Sequence, residues 1–299
     1  MMSRLRLIYQ ALPASMQSLV LSIYLGWYRF REEFVPVQVQ LLRSRFCDLP
    51  QAPRVVYVTG MPRTGTSLAK NYLGSAPGLT VTKFQTANSG FQYAWQVANQ
   101  TSDIVLDKAT RYIQSFRRIY GMYGNQVAFC CIVRDPRDQL TSLFETELHP
   151  EIYRNKQFWR QWANMYGSYL KFAAYLSMSS HWYLLRYEDL ARWPVQAKLD
   201  FLSWLDLDID KKVITVEYDI IHKEDNQDWK VQEQHKVNMN SVGRWKRVDN
   251  PEMKALFQYW QWNEEANTLM NRFGYTAEGL KDCPLEFTGL TVFQPQVLS

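Results

Sequence analysis

A strand that ends in glycine, followed five residues later by a second glycine that opens a helix, leaves little freedom to the fold around it. Val55-Val-Tyr-Val-Thr59 is an apolar, β-branched run that stops at Gly60. Gly65-Thr66-Ser67 then opens a helix-like stretch after Met61-Pro62-Arg63-Thr64. Glycines let the backbone approach a ligand closely. A helix N-terminus presents unpaired N–H groups and a partial positive charge, so this corner is suited to cradle a phosphate. Gly60, Gly65 and Ser67 keep the GxxxxGK[ST] spacing of a P-loop. The lysine position, however, is Thr66, and the cation sits three residues back at Arg63. A nucleoside triphosphatase needs that lysine on its β- and γ-phosphates, so ATP or GTP hydrolysis is disfavoured.

The rest of the chain alternates β-rich runs with helical stretches. Further runs are Ile104–Leu106, Val127–Val133 and Trp182–Leu185. Helical stretches begin near Ser67, Arg111, Pro136 and Pro194, and a last one spans about Glu252–Phe273. A continuous apolar run such as Val127-Ala-Phe-Cys-Cys-Ile-Val133 suits a strand buried on both faces. The expectation is an α/β fold of the P-loop-containing kind, with a central parallel sheet flanked by helices. Tyr218–Lys236 is polar and charged and reads as a long loop.

The length, 299 residues, fits one large α/β domain, and the 46% hydrophobic content excludes disorder as the main state. We expect residues 1–50 to form amphipathic helices packed on the core and residues 51–299 to form one domain. Leu12–Tyr28 is diluted by Pro13, Ser15, Gln17, Ser18, Ser22 and Gly26. It falls short of the ~20 apolar residues of a membrane span. Peripheral membrane contact through these helices is the minority reading. The net charge of +5 favours anionic ligands and is too small for a nucleic-acid-binding arm. The four cysteines, Cys47, Cys130, Cys131 and Cys283, show no metal-ligand spacing. Strand geometry sends the adjacent Cys130 and Cys131 to opposite faces, so a reducing cytoplasm is expected, and no metal site.

Pro62-Arg-Thr-Gly-Thr-Ser67 resembles the 5′-phosphosulfate loop of sulfotransferases that use 3′-phosphoadenosine 5′-phosphosulfate (PAPS). Three later segments support the resemblance in the family's order. Arg134-Asp-Pro-Arg-Asp, with Ser142 eight positions after Arg134, is similar to the family's 3′-phosphate motif. Leu184-Leu-Arg-Tyr-Glu-Asp-Leu190 is similar to the Tyr-Glu-Asp-Leu segment, whose tyrosine lies by the adenine. That makes Tyr187 a base contact; the alternative for Glu188 and Asp189 is that they merely cap a helix. Asn240-Ser-Val-Gly-Arg-Trp-Lys-Arg247 resembles the segment that closes over the nucleotide. Asn238-Met-Asn240 replaces the Arg-Lys-Gly triplet of cytosolic members, so basic contacts fall to Arg244, Lys246 or Arg247. Bacterial, tyrosylprotein and carbohydrate-type members are the nearer likeness. The resemblance implies a sulfotransferase-like fold, PAPS as co-substrate and its desulfated form PAP as product. The nucleotide would be held by Pro62, Arg63, Thr64, Gly65, Thr66, Ser67, Arg134, Ser142, Tyr187, Ser241, Val242, Arg244 and Lys246.

Sulfuryl transfer then needs a cation at the leaving phosphate, a cation on the moving sulfuryl oxygens and a base for the acceptor proton. Arg63 fits the first role. Lys108, at the end of Ile104-Val-Leu-Asp-Lys108, resembles the family's Lys-Thr-Pro strand end and fits the second. For the base, Thr110 replaces the cytosolic histidine, and the stretch Val81–Thr86 offers Gln85 where tyrosylprotein members have glutamate. His149 is the candidate, with Glu145 and Glu147 beside it and His181, His222 and His235 weaker. The expected acceptor is a small metabolite or natural product. Glu145, Glu147 and Glu151 hint at a cationic one. A carbohydrate or glycolipid acceptor, a non-catalytic nucleotide-binding relative and a P-loop kinase are the alternatives.

Overall fold

The computed structural model describes residues 53, 55–82, 104–108, 119–120, 124–146, 156–175, 181–215, 217, 237, 239–281 and 291–292. The chain divides into two compact units: Met1–Leu49 with Gln114–Gly124, and Pro50–Ile113 with Asn125–Ser299. In the first, Ile119 and Tyr120 are helical. The second carries the sheet. The amphipathic helices expected over residues 1–50, the helix expected near Arg111 and the loop expected over Tyr218–Lys236 lie outside the described residues.

The sheet has six parallel strands: β1 (Val55–Thr59), β2 (Leu79–Val81), β3 (Ile104–Lys108), β4 (Val127–Val133), β5 (Trp182–Arg186) and β6 (Thr291–Val292). Their spatial order is β2-β3-β1-β4-β5-β6, and every pairing is parallel. The chain leaves β1 towards one edge, returns to β3, and continues on the other side at β4. Such a reversal beside β1 marks the place, at the carboxyl ends of the strands, where ligands bind in open α/β sheets. Register places Val58 of β1 beside Lys108 and Cys130, so the glycine corner, Lys108 and the end of β4 share one edge of the sheet.

Strand alternation sorts the core into two chemically different layers. Val56, Val58, Leu106, Ala128, Cys130, Ile132, Tyr183 and Leu185 pack with Leu68, Ala69, Tyr72 and Leu73 of α1 (Thr66–Gly74). Ala197, Phe201 and Leu202 of α5 (Pro194–Trp204) join this layer. The other face is aromatic. Phe129 lies 6.0 Å from Tyr57, 5.7 Å from Phe172 and 5.8 Å from Trp182 between ring centres. Phe172 belongs to α3 (Gln157–Tyr175), whose Tyr166 and Trp162 meet Phe273 beyond α7 (Glu264–Arg272). Cys130 and Cys131 take opposite faces as free, buried thiols, and burial pushes both thiol pKa values upward.

The starts near Ser67, Pro136 and Pro194 are those of α1, α2 (Pro136–Thr146) and α5. The Asp135 side chain accepts the Arg137 N–H at 2.9 Å, and Pro136 takes the first helical position, which fixes the start of α2. The single helix expected over Glu252–Phe273 is corrected. It is α6 (Pro251–Gln258), a 3-10 turn at Tyr259–Trp262, and α7. Asn263 is extended (φ −114°) and its side chain accepts the Ala266 N–H at 2.9 Å, restarting the helix as a second N-cap. The 19-residue α3 and the short strands β2 and β6 were not foreseen.

Phe129 sits at the centre of the aromatic layer, so Phe129→Ala should cost about 3–5 kcal/mol of stability through the cavity it leaves. Urea unfolding of the variant against wild type measures this. A loss under 1 kcal/mol would mean that the layer collapses around the gap.

Candidate functional site

The loop after β1 is held open by its own backbone. Gly60 has φ 155°, and a Cβ there would lie 2.6 Å from the Ile132 carbonyl oxygen. Thr64 closes the turn by donating its hydroxyl to the Met61 carbonyl at 2.8 Å. Arg63 occupies the left-handed region (φ 70°), a conformation that a side chain with a Cβ adopts at a cost of about 1–2 kcal/mol. Gly65 caps α1 at φ 91° without a side-chain hydrogen bond. A Cβ on it would come within 2.4 Å of the Tyr187 ring. The first-turn N–H groups of α1 thus receive no cap from the residue before it, and glycine leaves their approach open.

Two cations meet this corner. Lys108, at the end of β3, donates from Nζ to Ser67 Oγ at 2.6 Å. Arg63 donates from Nε to Ser142 Oγ, on α2, at 3.0 Å. Gln139 reaches back from α2 to the Pro62 carbonyl at 2.7 Å. Tyr166 of α3 donates to the Ile132 carbonyl at 3.0 Å and receives the Met61 N–H at 3.5 Å. The loop is therefore braced from both sides.

Arg134, where β4 runs into α2, joins two segments far apart in sequence. It donates one guanidinium nitrogen to the Arg63 carbonyl at 2.9 Å and the other to the Ser241 carbonyl at 2.6 Å. Its Nε is buried with no hydrogen-bond partner, and its guanidinium lies 4.6 Å over the Tyr187 ring. A buried, unsatisfied charged donor beside an uncapped helix start marks a cradle for an anion.

The segment Ser241–Arg247 is fastened to α2 by residues whose part the sequence did not reveal. Asp138 accepts the Gly243 N–H at 2.7 Å and the Trp245 N–H at 3.0 Å. Burial is the largest influence on its carboxyl and raises its pKa. Arg137 lies 3.8 Å over the Trp245 ring while its Nε and one terminal nitrogen donate to Asp135, at 2.9 and 2.7 Å. Arg244 forms an ion pair with Glu145, so that carboxylate's charge is met within the chain. Arg247 donates to the Asn240 carbonyl at 3.2 Å. Ser241, Val242 and Lys246 belong to the same fastened segment. Acid and base alternate through Arg134-Asp-Pro-Arg-Asp138, which marks a charged cluster, but the backbone N–H groups that Asp138 serves leave no trace in the sequence.

α4 (Tyr187–Arg192) receives no side-chain cap from Arg186, and Glu188 and Asp189, for which helix capping was the alternative reading, have other partners. Glu188 accepts the Asp135 N–H and the Tyr275 hydroxyl, both at 2.8 Å. Asp189 pairs with Arg186 at 2.5 and 3.0 Å. Both acids staple α4 to its neighbours because each is buried beside a ready donor. Tyr187 is buried against Gly65 and under Arg134.

His149, Gln85, Glu147, Glu151, His222 and His235 lie outside the described residues. His181 is removed from the candidate bases. It precedes β5 in a parallel sheet, at the end opposite Lys108 and Arg134, and burial lowers its pKa. Among the described residues, no group of three or more His, Cys, Asp or Glu side chains could hold a metal ion. Among them, too, no helix is long and apolar enough to cross a membrane.

No family model and no curated protein matches the sequence. Solved structures do. The sulfotransferase domain from the curacin biosynthetic pathway aligns with a TM-score of 0.55 at 15% identity, covering 69% of this chain and 97% of that one. The sulfotransferase domain from the Synechococcus PCC 7002 olefin synthase gives 0.52 at 14% identity, with 73% and 99% covered. Mouse sulfotransferase SULT7A1, crystallised with PAP, gives 0.52 at 12% identity, with 81% and 94% covered. The chain has the sulfotransferase fold that its four segments led us to expect.

Two outcomes follow from this geometry. Asp138→Ala frees two backbone N–H groups of the closing segment, so limited trypsin digestion should cut at Arg244, Lys246 or Arg247 several-fold faster than in wild type. An unchanged rate would show that Arg134 and Arg137 hold the segment alone. Burial raises the Glu188 carboxyl from 4.5 to about 7, so the folded chain keeps a proton that the unfolded chain has released. The stability from this group is full below pH 4.5 and is lost as pH rises through about 7. Urea unfolding should show wild type losing on the order of 1–3 kcal/mol relative to Glu188→Gln across that window. A pH-independent difference would contradict it.

Proposed function

We propose that the protein transfers the sulfuryl group of PAPS to a hydroxyl or nitrogen of a small-molecule acceptor and releases PAP. The observation that carries this reading is the pair of basic clamps. One surrounds the start of α1 with Arg63, Ser67 and Lys108. The other sets Arg134 and Ser142 beside the fastened segment Ser241–Arg247. Arg134 ties the two together through the Arg63 carbonyl. A donor with phosphate groups at two separate positions suits such an arrangement.

The residues present fit that donor. Arg134 Nε is buried without a partner, the start of α1 has no side-chain cap, and glycine at position 65 is the only residue that clears Tyr187. Pro62, Arg63, Thr64, Gly65, Thr66 and Ser67 would hold the 5′ end. Arg134, Ser142, Ser241, Val242, Arg244 and Lys246 would hold the 3′ end, and Tyr187 the base. When bound, PAPS supplies an activated sulfuryl group on a phosphate leaving group. The planar fork of Arg63 spans two oxygens, which suits it to the leaving phosphate. Lys108 offers a compact cation for the sulfuryl oxygens, and His149 is the base for the acceptor proton. Thr66, at the place of the P-loop lysine, weighs against a kinase.

A small-molecule acceptor is in keeping with fold neighbours drawn from the curacin pathway and an olefin synthase. A carbohydrate or glycolipid is the runner-up. We assign residues 51–299 to the transferase domain and read residues 1–50 as amphipathic helices, with peripheral membrane contact as their other role. Free, buried Cys130 and Cys131 support a reducing, cytoplasmic setting. The modest charge surplus of +5 supports a small anionic ligand over nucleic acid.

Calorimetry with PAP, PAPS and ATP with Mg2+ tests binding; labelled PAPS with an acceptor library tests transfer. The nucleotide with a 3′-phosphate should bind and ATP should not compete with it. Binding without turnover would make the protein a non-catalytic relative. Arg63→Ala should lower transfer by about 10²–10³-fold. Near-normal turnover in that variant would remove Arg63 from the mechanism.

A further inference from the structure

Behind Lys108 lies a set of buried polar groups that nucleotide binding does not use. Thr82, just after β2, donates its hydroxyl to Asp107 Oδ1 at 2.6 Å. The same oxygen accepts the backbone N–H of Lys108 at 2.8 Å. Lys70, on α1 three residues after Ser67, donates from Nζ to the Thr82 carbonyl at 3.0 Å. The Thr82 N–H in turn bonds the Leu106 carbonyl at 3.0 Å. Lys70, Thr82 and Asp107 are all buried.

These contacts close a ring. It runs from Ser67 along α1 to Lys70, across to Thr82, to Asp107, and through the backbone to Lys108, whose Nζ returns to Ser67. Strand alternation puts Lys108 on the α1 side of the sheet with Leu106, and Asp107 on the other side. The carboxylate cannot reach the ammonium directly, so it acts on the peptide that carries it. Burial lowers the Lys70 pKa while the Asp107 charge opposes the change. Burying an ionised pair stabilises a fold no better than apolar side chains of the same volume. Stability alone therefore does not account for a threonine, an aspartate and a lysine at the end of a strand whose next neighbours are Leu106 and Val81.

We propose that Thr82 and Asp107, backed by Lys70, are positioning residues for Lys108, fixing the end of β3 so that its ammonium stands at the start of α1. This rests on the sulfuryl-transfer reading, in which Lys108 meets the sulfuryl oxygens. PAPS carries that group and PAP lacks it. The ratio of their dissociation constants therefore reports Lys108, while PAP alone reports the remaining contacts.

The test is calorimetry on the full chain with PAPS and PAP, for wild type, Thr82→Val, Thr82→Ser, Asp107→Asn, Lys108→Met and the double variant Thr82→Val/Lys108→Met. Thermal unfolding confirms that each is folded. Thr82→Val and Asp107→Asn should weaken PAPS relative to PAP by about tenfold, the scale of one charge-assisted hydrogen bond. Thr82→Ser, which keeps the hydroxyl, should restore the ratio. The double variant should lose no more than Lys108→Met, because both changes act through one ammonium. Equal weakening of PAP and PAPS, or additive losses in the double variant, would assign Thr82 and Asp107 to structure alone and overturn the inference. An unchanged ratio in Lys108→Met would do the same. A wild type that binds neither nucleotide would instead overturn the transfer reading and this inference with it.

Discussion

One guanidinium spans the two halves of the site. Arg134 grips a carbonyl of the glycine corner with one nitrogen and a carbonyl of the Ser241–Arg247 segment with the other, so segments about 180 positions apart share a single charge. The carbonyl it takes from the corner belongs to Arg63, the residue held in the left-handed region. Without that bond the loop would have less reason to keep its shape. Charge-assisted hydrogen bonds are roughly twice as strong as neutral ones, and a buried one is not readily exchanged for water. The remaining features arrange themselves around it: Tyr187 lies beneath the charge, Asp138 fastens the far segment, and Ser142 meets Arg63 from α2.

The buried ionic groups near the site form two sets with different work. Asp135, Arg137, Asp138 and Glu188 hold α2, the closing segment and the Tyr275 turn to one another. Each acid among them accepts at least one backbone N–H, which offsets its desolvation. Lys70, Thr82 and Asp107 sit on the other side of the corner, at the end of β3. The sheet separates the sets, since β1 and its loop run between β3 and β4. A change in one set therefore reaches the other chiefly through the loop.

Much of the fold was legible because its strongest signals are local. Val55–Gly60 and Val127–Val133 are unbroken apolar runs bounded by turn residues, and such runs in a parallel sheet leave little ambiguity. Asp135-Pro136 and Trp193-Pro194 announced their helices through proline at the first position. What escaped was either short or masked by continuity. Leu79–Val81 is three residues long, too few to show alternation. Glu252–Phe273 keeps an amphipathic pattern across a break made by the 3-10 turn at Tyr259–Trp262 and the restart at Asn263. In the site, Arg63, Lys108 and Arg134 could be found from the family resemblance of the segments that carry them. Asp138 and Lys70 could not, because their partners are backbone groups, which leave no trace in the sequence, and Thr82 could not, because its partner Asp107 lies 25 positions away. Glu188 and Asp189 were ambiguous for a related reason: an acid at a helix start looks the same whether it caps that helix or serves another chain segment.

The left-handed backbone of Arg63 places opposing demands on that position. Glycine would sit there with less local strain, and the folded chain would gain from the exchange before any compensating change elsewhere. Yet glycine brings no cation. Under the proposed sulfuryl transfer, selection for robustness and selection for chemistry therefore pull this residue in opposite directions, as at many sites where activity is held at the expense of ease of folding. A lineage that lost its need for the reaction would be expected to relax here early, while the packed aromatic layer on the far face of the sheet stayed as it was.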